Sequence, residues 1–115
     1  MAAATPDPFS CIDAVETSRR MCEEGWAPFV LDVRSKAEAE IVSLPTVDLQ
    51  HPHRRVAEVA DQLPRDRDIL VHCKGGVRSK AACHTLAGLG LTRLFSMDGG
   101  VIQWAKKVDP SLPVY

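Results

Sequence analysis

The chain holds four cysteines, Cys11, Cys22, Cys73 and Cys83, and one of them stands in a pattern that can do chemistry. Cys73 lies in the run His72-Cys73-Lys74-Gly75-Gly76-Val77-Arg78-Ser79, entered from the apolar stretch Ile69–Cys73 and followed by helix-forming residues. Paired glycines let a backbone curl through φ values that residues bearing Cβ avoid. The first N–H groups of the helix that follows have no partner of their own. Amides turned inward beside a helix N-terminus make a pocket for negative charge. Such a pocket favours thiolate over thiol and can hold an anion bonded to the sulfur. Cys73 is therefore the candidate nucleophile, and Lys74, Gly75, Gly76, Val77, Arg78 and Ser79 are the candidate binding loop. A lone cysteine at a strand end would read as core. Strand, cysteine, double glycine, arginine and helix cap in one short stretch argue against that.

Charge around the loop points the same way. No Asp or Glu occurs between Ile69 and Met97, while Lys74, Arg78, Lys80 and Arg93 do, a local bias that suggests anion binding. Arg78 has two readings: it attracts an anionic donor or acceptor, or it pairs with a carboxylate and pins the loop. Lys74 reads as a surface charge that steers anions. Asp32 and Arg34 read as a structural pair bracing the site, with Glu38 in a supporting role. His72 precedes the nucleophile on a strand, so its side chain should point away from that of Cys73. Cys83 reads as core, Cys11 and Cys22 as incidental, and Trp104 as packing. No C-x-x-C pair occurs and the Cys/His spacing fits no common zinc site, so neither metal nor other cofactor is expected.

The elements that must position this loop alternate. Ser10–Glu24 reads as a helix capped by Ser10 or Asp13, with Ile12, Val15 and Cys22 on one side and Gly25 as its stop. Pro28–Val33 reads as a buried strand, Ala37–Val42 as a helical turn or two, and Val47–Leu49 as a short strand. Val56, Val59, Ala60 and Leu63 repeat at helical spacing until Pro64. Ile69–Cys73 is the clearest strand. Ser79 is expected to cap a helix to about Leu89, Leu91–Ser96 to be a strand, and Asp98-Gly99-Gly100 to turn into a last helix, Val101–Val108. This order implies an α/β fold: one central, mostly parallel sheet of about five strands with helices on both faces. Sites in such sheets lie at the carboxyl ends of the strands, where Asp32-Val33-Arg34 and His72-Cys73-Lys74 fall.

Composition bounds the rest. The 115 residues carry 14 basic and 15 acidic side chains, a net charge of −1 that argues against nucleic acid as an obligatory partner. A chain of this size buries about two-thirds of its unfolded surface and needs no disulfide or metal to fold. No apolar run reaches the roughly 20 residues of a membrane helix, so no membrane partner is expected. Residues 1–8 read as a flexible Ala/Pro-rich leader and 9–115 as the domain. A reducing, cytoplasmic setting is the simplest for four cysteines that form no C-x-x-C pair.

The segment Cys73–Ser79 resembles the active-site loop of rhodanese-like sulfurtransferases. The resemblance extends over nearly the whole chain. Leu31-Asp32-Val33-Arg34 with Glu38 is similar to the family's Asp-Val-Arg…Glu signature, and Asp98-Gly99-Gly100-Val101 with Trp104 to its Gly-Gly…Trp ending. Val108–Tyr115 is most similar to the rhodanese module of the adenylyltransferase/sulfurtransferase proteins that serve molybdenum-cofactor synthesis and tRNA thiolation. The resemblance implies a rhodanese-like fold and a two-step covalent mechanism. Cys73 would take sulfane sulfur from a small anionic donor such as thiosulfate, become a persulfide, and pass the sulfur to a thiophilic acceptor. A sulfur-carrier protein or a cysteine desulfurase would be its protein partner. Two rivals stand beside this reading. Cysteine-dependent phosphatases and arsenate reductases also end a His-Cys loop in arginine, but with five residues between Cys and Arg, whereas only Lys74, Gly75, Gly76 and Val77 intervene here. A non-catalytic interaction module would be expected to have lost the cysteine.

Overall fold

Ile69–His72 forms a strand (β4) buried along its whole length, as a β-branched, apolar run must be when it pairs on both sides and carries helices on both faces. The structure, a computed structural model, describes residues 8–115. The expected leader, residues 1–8, lies outside the described residues except for Pro8. In chain order the elements are β1 (Ser10–Asp13), α1 (Ala14–Glu23), β2 (Phe29–Asp32), α2 (Lys36–Ile41), β3 (Leu49–Gln50), a 3₁₀ segment (His53–Gln62), β4, α3 (Val77–Gly88), β5 (Leu94–Asp98) and α4 (Gly100–Lys107). The strands lie in the order β1-β5-β4-β2-β3 and every pairing is parallel. This is the single α/β domain with a five-stranded sheet that alternation implies.

Strand alternation sorts the core into two halves. Leu31, Ile69, Val71, Cys73 and Leu94 face the 3₁₀ segment and α3, where Val56, Val59, Ala82, Cys83 and Leu86 meet them. Val30, Leu70 and Met97 face the opposite way, toward Ala14 at the start of α1 and Val101 and Trp104 of α4. His72 therefore belongs to the face opposite Cys73.

Three elements differ from the sequence reading. Ser10–Asp13 is an edge strand, not helix, because it pairs in parallel with Phe95–Asp98 and buries Ile12 there. Asp13 then caps α1, accepting from the Glu16 N–H at 2.7 Å. The buried side of α1 is Ala14 and Thr17, while Val15 and Cys22 are exposed. The helix after Pro52 is 3₁₀ in character with a kink at Arg55, and three-residue spacing of Val56 and Val59 suits that tighter winding. Leu91 does not begin β5. It closes α3 in a Schellman motif, with Gly90 at φ +94°, its N–H on Ala87 O and the Leu91 N–H on Leu86 O.

Candidate active site

The Cys73 loop is built by two adjacent strand ends and two helix starts. β4 ends at His72, and the chain turns through Gly76, held at φ +108°, into α3. A left-handed residue there starts the helix at Val77, two residues before the cap expected at Ser79. Ser79 instead turns inward and its hydroxyl donates to Gly76 O at 3.0 Å.

The loop's amides and carbonyls face different ways. The Gly76 N–H donates to Cys73 Sγ at 3.0 Å, and the thiol points at Ser79 Oγ, 3.7 Å away. The carbonyls of Cys73 and Lys74 point to α4, accepting from the N–H groups of Val101 (3.0 Å) and Ile102 (3.1 Å). Gly100 makes that contact possible: a Cβ there would lie 2.4 Å from Lys74 O and 2.5 Å from Cys73 O. Cys73 is 1% exposed, at the N-terminus of the 12-residue α3, and Val77 stands out beside it at 81%. Ser96, on β5, bonds to Ser79 at 2.8 Å.

Arg78 resolves toward the structural of its two readings. Its two terminal nitrogens donate to the two oxygens of Glu38 at 2.7 and 2.8 Å. This fork holds Glu38 well below the usual carboxylate range, aided by Tyr115 and the Ser35 backbone, and pushes Arg78 upward. Glu38 is itself placed by a capping box with Ser35 at the start of α2. Asp32 and Arg34 form the expected pair, fully buried: Nε and Nη2 of Arg34 reach the Asp32 carboxylate at 3.0 and 2.7 Å, and Nη2 also reaches Val42 O at 2.7 Å. The positive bias of the Ile69–Met97 stretch is largely cancelled from outside it, since Arg78, Lys80 and Arg93 meet Glu38, Asp98 and Asp68. Lys74 meets no carboxylate among the described residues; its ammonium lies 4.4 Å from the centre of the Tyr115 ring.

His72 is fully buried, its ring nitrogens meet no hydrogen-bond partner of good geometry among the described residues, and burial pushes it down to about 4, so it is neutral at ordinary pH. No group of three or more metal-ligating residues occurs among the described residues, and no helix among them is long and apolar enough to cross a membrane. Three participants escaped the sequence reading: Ser96, Gly100 as a clamp on the loop carbonyls, and Tyr115. The Gly99-Gly100 pair and the Pro-Val-Tyr ending were the available signals.

A parallel α/β sheet that presents a buried cysteine to a backbone N–H at a helix N-terminus defines a class of single-cysteine loop proteins. The family described as "Rhodanese-like domain" matches residues 14–107, and the chain belongs to it. A sulfurtransferase of Allochromatium vinosum is 32% identical over 95 residues, covering 83% of this chain and 87% of its own length. The probable adenylyltransferase/sulfurtransferase MoeZ of Mycobacterium tuberculosis is 32% identical over 99 residues, which is 84% of this chain but 25% of that protein. Among solved structures, a rhodanese-related protein from Thermoplasma volcanium superposes with a TM-score of 0.74 at 29% identity, covering 92% of this chain and 97% of that one.

Proposed function

We propose that the protein is a sulfurtransferase that carries sulfane sulfur on Cys73. The observation that carries this reading is the Gly76 N–H donating to Cys73 Sγ at 3.0 Å at the start of α3, in a loop whose carbonyls are tied back to α4. Backbone amides and a helix N-terminus stabilise an anion at that point with no need for a charged side chain. With thiosulfate, the Cys73 thiolate attacks the outer sulfur, the sulfur–sulfur bond breaks, and sulfite leaves with the electron pair. The terminal sulfur of the persulfide then takes up the negative charge beside the Gly76 N–H and the N-terminus of α3. A nucleophilic acceptor such as cyanide attacks that sulfur, leaves as thiocyanate, and restores the thiolate.

Lys74, Gly75, Gly76, Val77, Arg78 and Ser79 form the loop in this reading. Asp32, Arg34 and Glu38 brace it. A sulfur-carrier protein is the acceptor that likeness to adenylyltransferase/sulfurtransferase proteins suggests, a cysteine desulfurase is a candidate donor, and the reducing cytoplasm suits a working thiolate. The four residues between Cys73 and Arg78 make a ring suited to one sulfur atom in place of a phosphoryl group.

The test is transfer from thiosulfate to cyanide. Wild type should form thiocyanate, Cys73→Ser should not, and neither should hydrolyse aryl phosphates usefully. Normal turnover by the Cys73→Ser protein, or efficient phosphatase activity by wild type, would defeat the reading.

A further inference from the structure

Arg78 is the cation that the loop sequence offers to an anionic donor, yet both ends of its fork are occupied by Glu38. Lys74, next to the nucleophile in sequence, meets no carboxylate among the described residues. A lysine ammonium on a flexible stem makes a poor recognition element unless something holds it. Tyr115 supplies the hold. Its hydroxyl is fixed at two points, donating to Glu38 Oε2 at 2.8 Å and accepting from Arg34 Nη1 at 3.0 Å. Its ring packs on the core half that contains Trp104 and Val101. The face of that ring carries the Lys74 ammonium 4.4 Å from its centre, within range of a cation–π contact. Burial pushes the phenol upward, so the hydroxyl keeps its proton and goes on donating to Glu38. A continuous chain of contacts thus runs Asp32–Arg34–Tyr115–Glu38–Arg78, and Lys74 rests on its middle member.

We propose that Tyr115 is a positioning residue that holds the Lys74 ammonium at the mouth of the Cys73 loop, and that Lys74 is the cation that recognises an anionic sulfur donor. This rests on the sulfur-transfer reading for its biological sense, but the electrostatic device is readable without any sulfur transfer. Iodoacetate and iodoacetamide alkylate the same thiolate, forming a carbon–sulfur bond as iodide leaves, and differ in charge. The ratio of their rates at Cys73, read by mass spectrometry of the Cys73 peptide in the full chain, cancels the reactivity of the thiol and reports the local cation.

Lys74→Ala should lower the iodoacetate-to-iodoacetamide ratio about three- to fivefold at low salt, and added salt should shrink the difference. Tyr115→Leu keeps apolar bulk against the core but has no π face, and should lower the ratio about threefold. Tyr115→Phe keeps the ring and should restore most of it. In a Lys74→Ala background, Tyr115→Leu should have no further effect on the ratio. With thiosulfate as donor, Tyr115→Leu should raise KM several-fold. The proposal is overturned if Tyr115→Leu leaves the ratio at the wild-type value, or lowers it equally when Lys74 is already alanine. A wild-type protein that alkylates with the expected ratios but transfers no sulfur would instead sink the sulfur-transfer reading and leave the Tyr115–Lys74 device standing.

Discussion

Cys73 and Cys83 face the same half of the core, and both are buried, at 1% and 0% exposure. Their surroundings differ in one respect. Cys83 sits in the middle of α3, where backbone amides are already committed within the helix, and burial pushes its thiol up to about 12. Cys73 sits where the chain has not yet become helix, and the Gly76 N–H is free to donate to its sulfur. Burial alone makes a cysteine inert, whereas burial against unspent amides gives a sulfur anion somewhere to reside. The contrast is one of backbone geometry, and it can be broken at the thiols, at the glycines, or at the side chains around them.

The largest effect is expected from the thiols themselves. Cys73→Ser should abolish sulfur transfer while leaving the fold intact, and Cys83→Ala should keep most activity with a stability loss of about 1 kcal/mol from the small cavity. Thiosulfate–cyanide assays and thermal melts on both variants check this. Equal loss of activity in the two would erase the distinction between them.

Next comes the backbone clamp. Gly100→Ala forces a Cβ against the carbonyls of Cys73 and Lys74, at a residue with φ +54°. Neither carbonyl can yield without moving the loop, so a destabilisation of roughly 2–4 kcal/mol is expected, with activity falling further than stability explains. Gly76→Val, at φ +108°, should slow Cys73 alkylation while leaving Cys83 as unreactive as before. Denaturant melts paired with alkylation rates at each cysteine separate the two effects.

Effects that vanish at neutral pH belong to the titrating neighbours, and their pH windows are distinct. His72 is depressed in the folded state to about 4 from an ordinary 6.5, so the unfolded chain binds the extra proton first. Stability should therefore be full above pH 6.5 and fall as pH drops from 6.5 to 4, by on the order of 3 kcal/mol. His72→Leu should flatten that window. Glu38 is likewise depressed, so its contribution holds above pH 4.5 and is lost as pH falls below it. Glu38→Gln should remove that lower limb and, by freeing Arg78, reduce transfer several-fold. Urea melts between pH 3 and 8 on the three proteins check both windows. A wild-type curve flat from pH 6.5 to 4 would show that His72 is not held neutral.

How much of this was legible in the residues depends on whether the cause was local. β4, the turn at Gly76 and the pair Asp32–Arg34 could be read because their determinants lie within a few residues: an apolar β-branched run, a glycine held at φ +108°, a charge spacing of two; Gly75, expected to serve the curl as well, has no positive φ and open space where a Cβ would stand. Ser10–Asp13 was not legible as a strand, because four residues running directly into a helix look like that helix until β5 offers them an edge. Leu91 read as strand because an apolar residue after Gly90 fits a Schellman ending and a strand start equally well. Ser96, Gly100 and Tyr115 act on residues far away in sequence, Tyr115 across 77 positions to Glu38 and 81 to Arg34. Only the folded chain brings them to the loop. Arg78 shows the same limit: its motif allowed a free cation or a pinned one, and the choice depended on where α2 placed Glu38.

One measurement bears most directly on the central claim. The full chain is incubated with thiosulfate, freed of small molecules, digested without reductant, and the four cysteine peptides are weighed. One added sulfur atom is expected on the Cys73 peptide and on no other, removed again by cyanide. No added sulfur on Cys73, or sulfur spread equally over Cys11, Cys22 and Cys73, would contradict a carrier role for this loop.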